Sequence, residues 1–205
     1  MRKIEGGGLI KITIVDYGMG NLRSVYNAIK FLGGEPILVS SPDELNDGKI
    51  IIPGVGAFGD GMKNFTQFVP KISEAISSGA PVLGICLGLH MLFEKSEESP
   101  DVRGIGAIKG EIIKIRTKLK LPHMGWNFLN VQKKSCPLFK GIGEGYAYFV
   151  HSYHAWPKVD VVAATTDYGE KVTAAIWDEN IFGTQFHPEK SGAYGLKILK
   201  NFMRL

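Results

Sequence analysis

Short, continuous, β-branched apolar runs alternate with helix-spaced segments through the first half of the chain, and few architectures accept that pattern. Lys11-Ile12-Thr13-Ile14-Val15-Asp16 reads as a buried strand closed by Gly18 and Gly20. Leu22, Val25, Tyr26, Ile29 and Leu32 then recur at helical spacing up to a stop at Gly33-Gly34. Ile37-Leu38-Val39, Ile50-Ile51-Ile52 and Val82-Leu83-Gly84-Ile85 are further runs of the same kind. Runs with no polar face need cover on both sides, so the expectation is an α/β domain. Its central, mostly parallel sheet is flanked by helices and joined by right-handed crossovers. After Gly104, strand-like stretches at 112–116, 128–132, 147–153, 161–165 and 174–177 predict antiparallel strands added in the C-terminal half. Leu196, Leu199, Phe202 and Met203 predict a closing helix over one face. No repeat or linker divides the 205 residues, so one domain is expected over 11–205, with the glycine-rich residues 1–10 as a leader.

Composition narrows the function classes. The 24 Lys and Arg against 20 Asp and Glu leave a net charge of +4, too small an excess for a dedicated nucleic-acid binder. The nearly apolar run 80–93 is shorter than the roughly 20 residues of a membrane helix and contains His90. Cys86 and Cys136 form no disulfide framework, and residues 1–8 lack the apolar core of a signal peptide, so a reducing cytoplasm is expected. His123, His151 and His154 lack metal-ligand spacing, so neither metal nor cofactor is expected.

Three segments carry chemistry. Gly84-Ile85-Cys86-Leu87-Gly88 joins an apolar strand to a helical pattern with cysteine at the junction. A sharp strand-to-helix turn strains its central residue and needs neighbours without side chains two positions away, which is the nucleophile-elbow arrangement. A sulfur at a helix N-terminus is also where a thiolate is favoured. Taken alone, the pentapeptide reads equally well as a small buried cysteine between packing glycines. Thr184-Gln185-Phe186-His187-Pro188-Glu189 supplies a histidine and a carboxylate two residues apart, on one face of an extended chain, so Glu189 can orient the imidazole. Cys86, His187 and Glu189 together make a nucleophile, base and orienting acid. Pro53-Gly54-Val55-Gly56-Ala57-Phe58-Gly59 follows a strand and therefore lies on the sheet edge where ligands bind. Amides of that loop, Val55 among them, and of Leu87 can form an oxyanion hole worth about 10²- to 10³-fold per donor. Asp16-Tyr17-Gly18-Met19-Gly20-Asn21 lacks the third glycine of a dinucleotide fingerprint, since Arg23 stands there, and nucleotide binding is discounted. Lys114, Arg116, Lys118 and Lys120 read as a solvated strand or loop edge.

On these residues the chain resembles the class I, triad-type glutamine amidotransferases over essentially 11–205. Asp16 to Leu22, Pro53 to Phe58 and Leu121-Pro122-His123-Met124-Gly125-Trp126-Asn127 make it similar to the branch serving histidine biosynthesis. From its residues alone, 121–127 reads as a Pro/Gly loop with an exposed aromatic. The resemblance implies hydrolysis of glutamine through a Cys86 thioester, with the ammonia passed to a (β/α)8-barrel cyclase partner. It also implies substrate contacts at Gly54, Gly56, His90, Glu98, Ser152 and Tyr153, and a partner face at Met124, Trp126, Asn127, Tyr148 and Lys190. The family usually has glutamine four residues after the cysteine, where this chain has His90. An imidazole can still donate a hydrogen bond, so altered substrate binding is expected rather than loss of activity. A glutaminase for another synthase, a non-catalytic scaffold on the same fold and a stand-alone cysteine hydrolase are the alternatives.

Overall fold

The computed structural model describes residues 9–46 and 48–205, so residues 1–8 of the expected leader lie outside the described residues. In chain order the main elements are β1 (Lys11–Val15), α1 (Leu22–Phe31), β2 (Glu35–Val39), β3 (Lys49–Gly54), α2 (Phe58–Phe65), α3 (Val69–Ser77), β4 (Val82–Cys86) and α4 (Leu87–Met91). There follow β5 (Phe93–Ser96), β6 (Ile108–Lys114), β7 (His123–Val131), β8 (Gly145–His151), β9 (Tyr153–Pro157), β10 (Val162–Asp167), β11 (Lys171–Asp178), β12 (Ile181–Thr184) and α5 (Gly192–Met203). Among the described residues, one sheet runs in the order β2-β1-β3-β4-β12-β11-β10-β7-β8. Its first five strands are parallel to their neighbours, and antiparallel pairing begins between β12 and β11.

The continuous apolar runs are covered on both faces, as a parallel sheet requires. Successive residues point to opposite sides. Ile51 and Leu83 therefore join a core with Phe182, Phe202 and α1, whereas Ile50, Ile52 and Val82 join one with Phe58, Phe65 and Leu89. No helix among the described residues is long and apolar enough to cross a membrane.

Three local expectations need correction. Not every added strand joins the main sheet: β5, β6 and β9 form a separate three-stranded sheet, because the stretch 147–153 breaks at Ser152 into β8 and β9. Residues 123–127 are strand rather than loop. His123 through Leu129 pair in antiparallel register with His151 through Gly145, which outweighs the local Pro and Gly signals. The helix after Cys86 is a single short element, and the chain turns into β5 at Phe93.

Candidate active site

Three chain segments reach one sheet edge because β4 lies between β3 and β12. Gly54 pairs with Cys86 across β3 and β4, and Thr184 with Ile85 across β12 and β4, so His187 emerges beside the sulfur. Cys86 has φ 54° and ψ −106°, a conformation that non-glycine residues rarely adopt. The glycines around it explain how so tight a turn closes. A Cβ on Gly84 would stand 2.6 Å from the Gly88 carbonyl and the Leu89 nitrogen, and one on Gly88 would overlap the Ile52 carbonyl oxygen. The strand-to-helix junction closes only with glycine at both positions.

His187 Nδ1 lies 2.9 Å from Glu189 Oε1, with 2% and 1% of the two side chains exposed. The carboxylate only accepts, so Nδ1 carries a proton, and Nε2, buried and without a hydrogen-bond partner, is the nitrogen free to gain and lose one. Burial alone would lower the histidine's pKa. Contacts with Cys86 and Glu189 more than reverse that effect and push it up to about 10. Pro188 begins a short 3₁₀ turn while His187 keeps an extended backbone, as a residue before proline should.

A cleft of about 280 Å³ opens over Cys86. Val55, Gly56 and Leu87 line one side, His151, Ser152 and Tyr153 the other, and His90, Glu98 and Pro122 complete it. Hollows of about 610 Å³ beside Phe139 and about 810 Å³ beside Arg116 are larger, but neither is lined by a cysteine. Glu98 Oε2 accepts the Phe58 amide at 2.8 Å, which anchors the carboxylate at the start of α2. Gly54 backs the cleft against the buried Tyr17 hydroxyl, whose pKa is raised by burial and then by Cys86. The motif at 16–21 packs beneath this loop: Gly20 meets the backbone of Pro53 and Gly54, and Met19 approaches Gly56. Its glycines shape protein backbone.

His90 lines the cleft and also makes a hydrogen bond within the protein. It is buried, its Nε2 lies 2.8 Å from Gln185 Oε1, and burial, outweighing the Gln185 bond, lowers its pKa to about 4. The neutral ring's single N–H is therefore given to Gln185. Sequence reasoning missed Gln185, fully buried and 3.9 Å from the Cys86 sulfur, and the coupling of His151 to His123 at 3.0 Å. The available signal was a polar pair, Thr184-Gln185, interrupting an apolar strand just before a histidine. Among the described residues, no group of three or more His, Cys, Asp or Glu is arranged to hold a metal ion.

Met124, Trp126 and Tyr148 share one face of the β7–β8 ribbon, where Trp126 is 56% exposed and lies edge-on to Tyr148. Lys190 is exposed nearby, two residues before Gly192, where a Cβ would come within 3.9 Å of the Trp126 ring. Asn127 is on the opposite face, its amide nitrogen bonded to the Asp167 carbonyl and to His123. Tyr146 and Phe128 extend the exposed aromatic face instead.

A family model for "Glutamine amidotransferase class-I" matches residues 13–205. The imidazole glycerol phosphate synthase subunit HisH of Methanocaldococcus jannaschii is 47% identical over 95% of this chain and 99% of its own length. The protein of the same name from Methanothermobacter thermautotrophicus is 48% identical, covering 95% and 98%. Among solved structures, PurLQS from Thermotoga maritima contains a chain that is 22% identical, covers 95% of this chain and 97% of its own, and superimposes with a TM-score of 0.75.

Proposed function

The chain belongs to the class I glutamine amidotransferases, in the branch of the HisH glutaminase subunits of imidazole glycerol phosphate synthase, and on that premise we propose that Cys86, His187 and Glu189 hydrolyse glutamine. One observation carries this assignment: a strained elbow cysteine shares a sheet edge with a buried histidine oriented at 2.9 Å by a buried carboxylate. The Cys86 proton passes to His187 Nε2 and the sulfur attacks the side-chain amide carbon of glutamine. The C–N bond then breaks, and the departing nitrogen takes the His187 proton and leaves as ammonia. Water, deprotonated by His187, adds to the glutamyl thioester. The C–S electron pair returns to sulfur, glutamate departs, and the thiolate recovers its proton. Proton transfer of this kind supplies about 10²- to 10⁴-fold. The amides of Val55 and Leu87 serve the oxyanion, and Glu98 pairs with the substrate α-ammonium. Gly54, Gly56, Ser152 and Tyr153 shape the rest of the subsite.

The ammonia goes to a (β/α)8-barrel cyclase subunit, which forms imidazole glycerol phosphate and aminoimidazole carboxamide ribotide. Met124, Trp126, Tyr148 and Lys190 are the contact face, since exposed Trp and Tyr are favoured anchors in partner contacts. Two free, buried cysteines suit a cytoplasmic enzyme. The test is glutamate release by the purified chain, alone and with the cyclase subunit plus its ribonucleotide ligand. Cys86→Ala should abolish release while leaving partner binding intact. Wild-type turnover by that variant would sink the mechanism.

A further inference from the structure

Gln185 is fully buried where β12 leads into His187, and a carboxamide taken out of water needs partners for both its N–H and C=O groups. It has one on each side: Oε1 at 2.8 Å from His90 Nε2, and Nε2 at 3.9 Å from the Cys86 sulfur. The directions are set by chemistry. A carbonyl oxygen only accepts, so His90 Nε2 donates to it, which turns the two amide hydrogens of Gln185 toward Cys86. On its other side the sulfur lies 4.0 Å from the Val150 carbonyl oxygen. That oxygen can serve a thiol, which has a proton to donate, but offers nothing to a thiolate. The Gln185 amide does the reverse, because a donor favours the charged acceptor.

We propose that the Gln185 carboxamide, aimed by His90, is a further catalytic group: it donates to the Cys86 sulfur and favours its thiolate, both before attack and when sulfur leaves the glutamyl thioester. This rests on Cys86 being the nucleophile. It gives the departure at His90 a role, since the imidazole holds the amide in the orientation that the sulfur needs. Burial keeps His90 neutral, so its one N–H stays committed to Gln185. The ionisable groups around the sulfur are Tyr17, His90, and His187 with Glu189 behind it, and Glu98, His151 and Tyr153 line the same cleft. Gln185 does not titrate, so its contribution appears only in the behaviour of Cys86.

The experiment is the pH dependence of Cys86 alkylation by iodoacetamide in the full chain, with Cys86→Ala as background. Gln185→Met, similar in length but without a donor, should move the midpoint of the rate profile upward by about one pH unit. His90→Leu should move it the same way by less, and His90→Gln, whose own amide can donate to Gln185 Oε1, should restore it. A folded Gln185→Met protein with the wild-type midpoint overturns the proposal. If Gln185→Met does not fold, equal midpoints for His90→Leu and His90→Gln overturn it. Alkylation needs no glutamine turnover. Failure of the glutaminase assignment would therefore show separately, as absence of glutamate release by the wild-type chain with its cyclase.

Discussion

Gly84→Ala separates the geometry of the elbow from its chemistry. Gly84 has no left-handed φ, so alanine meets no backbone strain there and the obstacle is space alone. Its Cβ would stand 2.6 Å from the carbonyl carbon and oxygen of Gly88 and from the nitrogen of Leu89. These are backbone atoms of α4, and no rotamer change removes them. Restoring an ordinary 3.4 Å contact means that α4 withdraws by about 0.8 Å, the difference of the two distances. α4 begins at Leu87, so the amide beside the sulfur moves with it. A misplacement near 1 Å at a reacting group costs about 10²-fold in rate. Overpacking costs about 1–3 kcal/mol, or a fall in Tm of about 2–12 °C for a domain of this size. Glutamate release assayed with the cyclase and its ligand should accordingly show kcat reduced about 10²-fold, with KM changed far less. A folded variant that keeps kcat within about twofold of wild type would refute the view that Gly84 is there to let α4 approach.

Glu189→Gln removes one of the contacts that raise His187, so it should move the upper limb of the pH profile of glutamate release to lower pH, the wild-type limb being expected to fall as pH rises through about 10. The sign agrees with linkage: a histidine raised above 6.5 contributes stability that is fully present below pH 6.5 and lost as pH rises through about 10. An unchanged upper limb would show that another group sets it. Trp126→Ala should weaken binding of the cyclase subunit by about 10- to 10²-fold, measured by calorimetry, and unaltered affinity would remove the β7–β8 face as the contact.

What could be read from the sequence followed the strength of the local signal. β1, β3 and β4 are continuous apolar runs, and the elbow glycines could be read because the turn has a steric requirement that no other residue meets. β5 was invisible: Phe93-Glu94-Lys95-Ser96 is short and half polar, and its register with β6 is irregular. The 121–127 segment looks like a loop in sequence because Pro122 and Gly125 punctuate it, whereas the strand character of 123–127 comes from pairing with residues twenty or more positions away. The three residues of the proposed triad could be picked out from two local motifs. Gln185 could not be assigned a role, since its two partners lie 95 and 99 residues earlier in the chain.

The place of β12 also fixes when the chain becomes reactive. Thr184 registers with Ile85, 99 residues earlier, and β12 is inserted between β4 and β11 rather than added at a sheet margin. During synthesis Cys86 is made long before His187, its proposed base, and β4 stays an open edge until the final quarter of the chain arrives to close it. Non-local pairing of this kind is slow to form. Incomplete or stalled chains carry the thiol without His187, so they are prone to stick edge to edge yet cannot split glutamine. Release of ammonia is therefore delayed until the domain has finished folding.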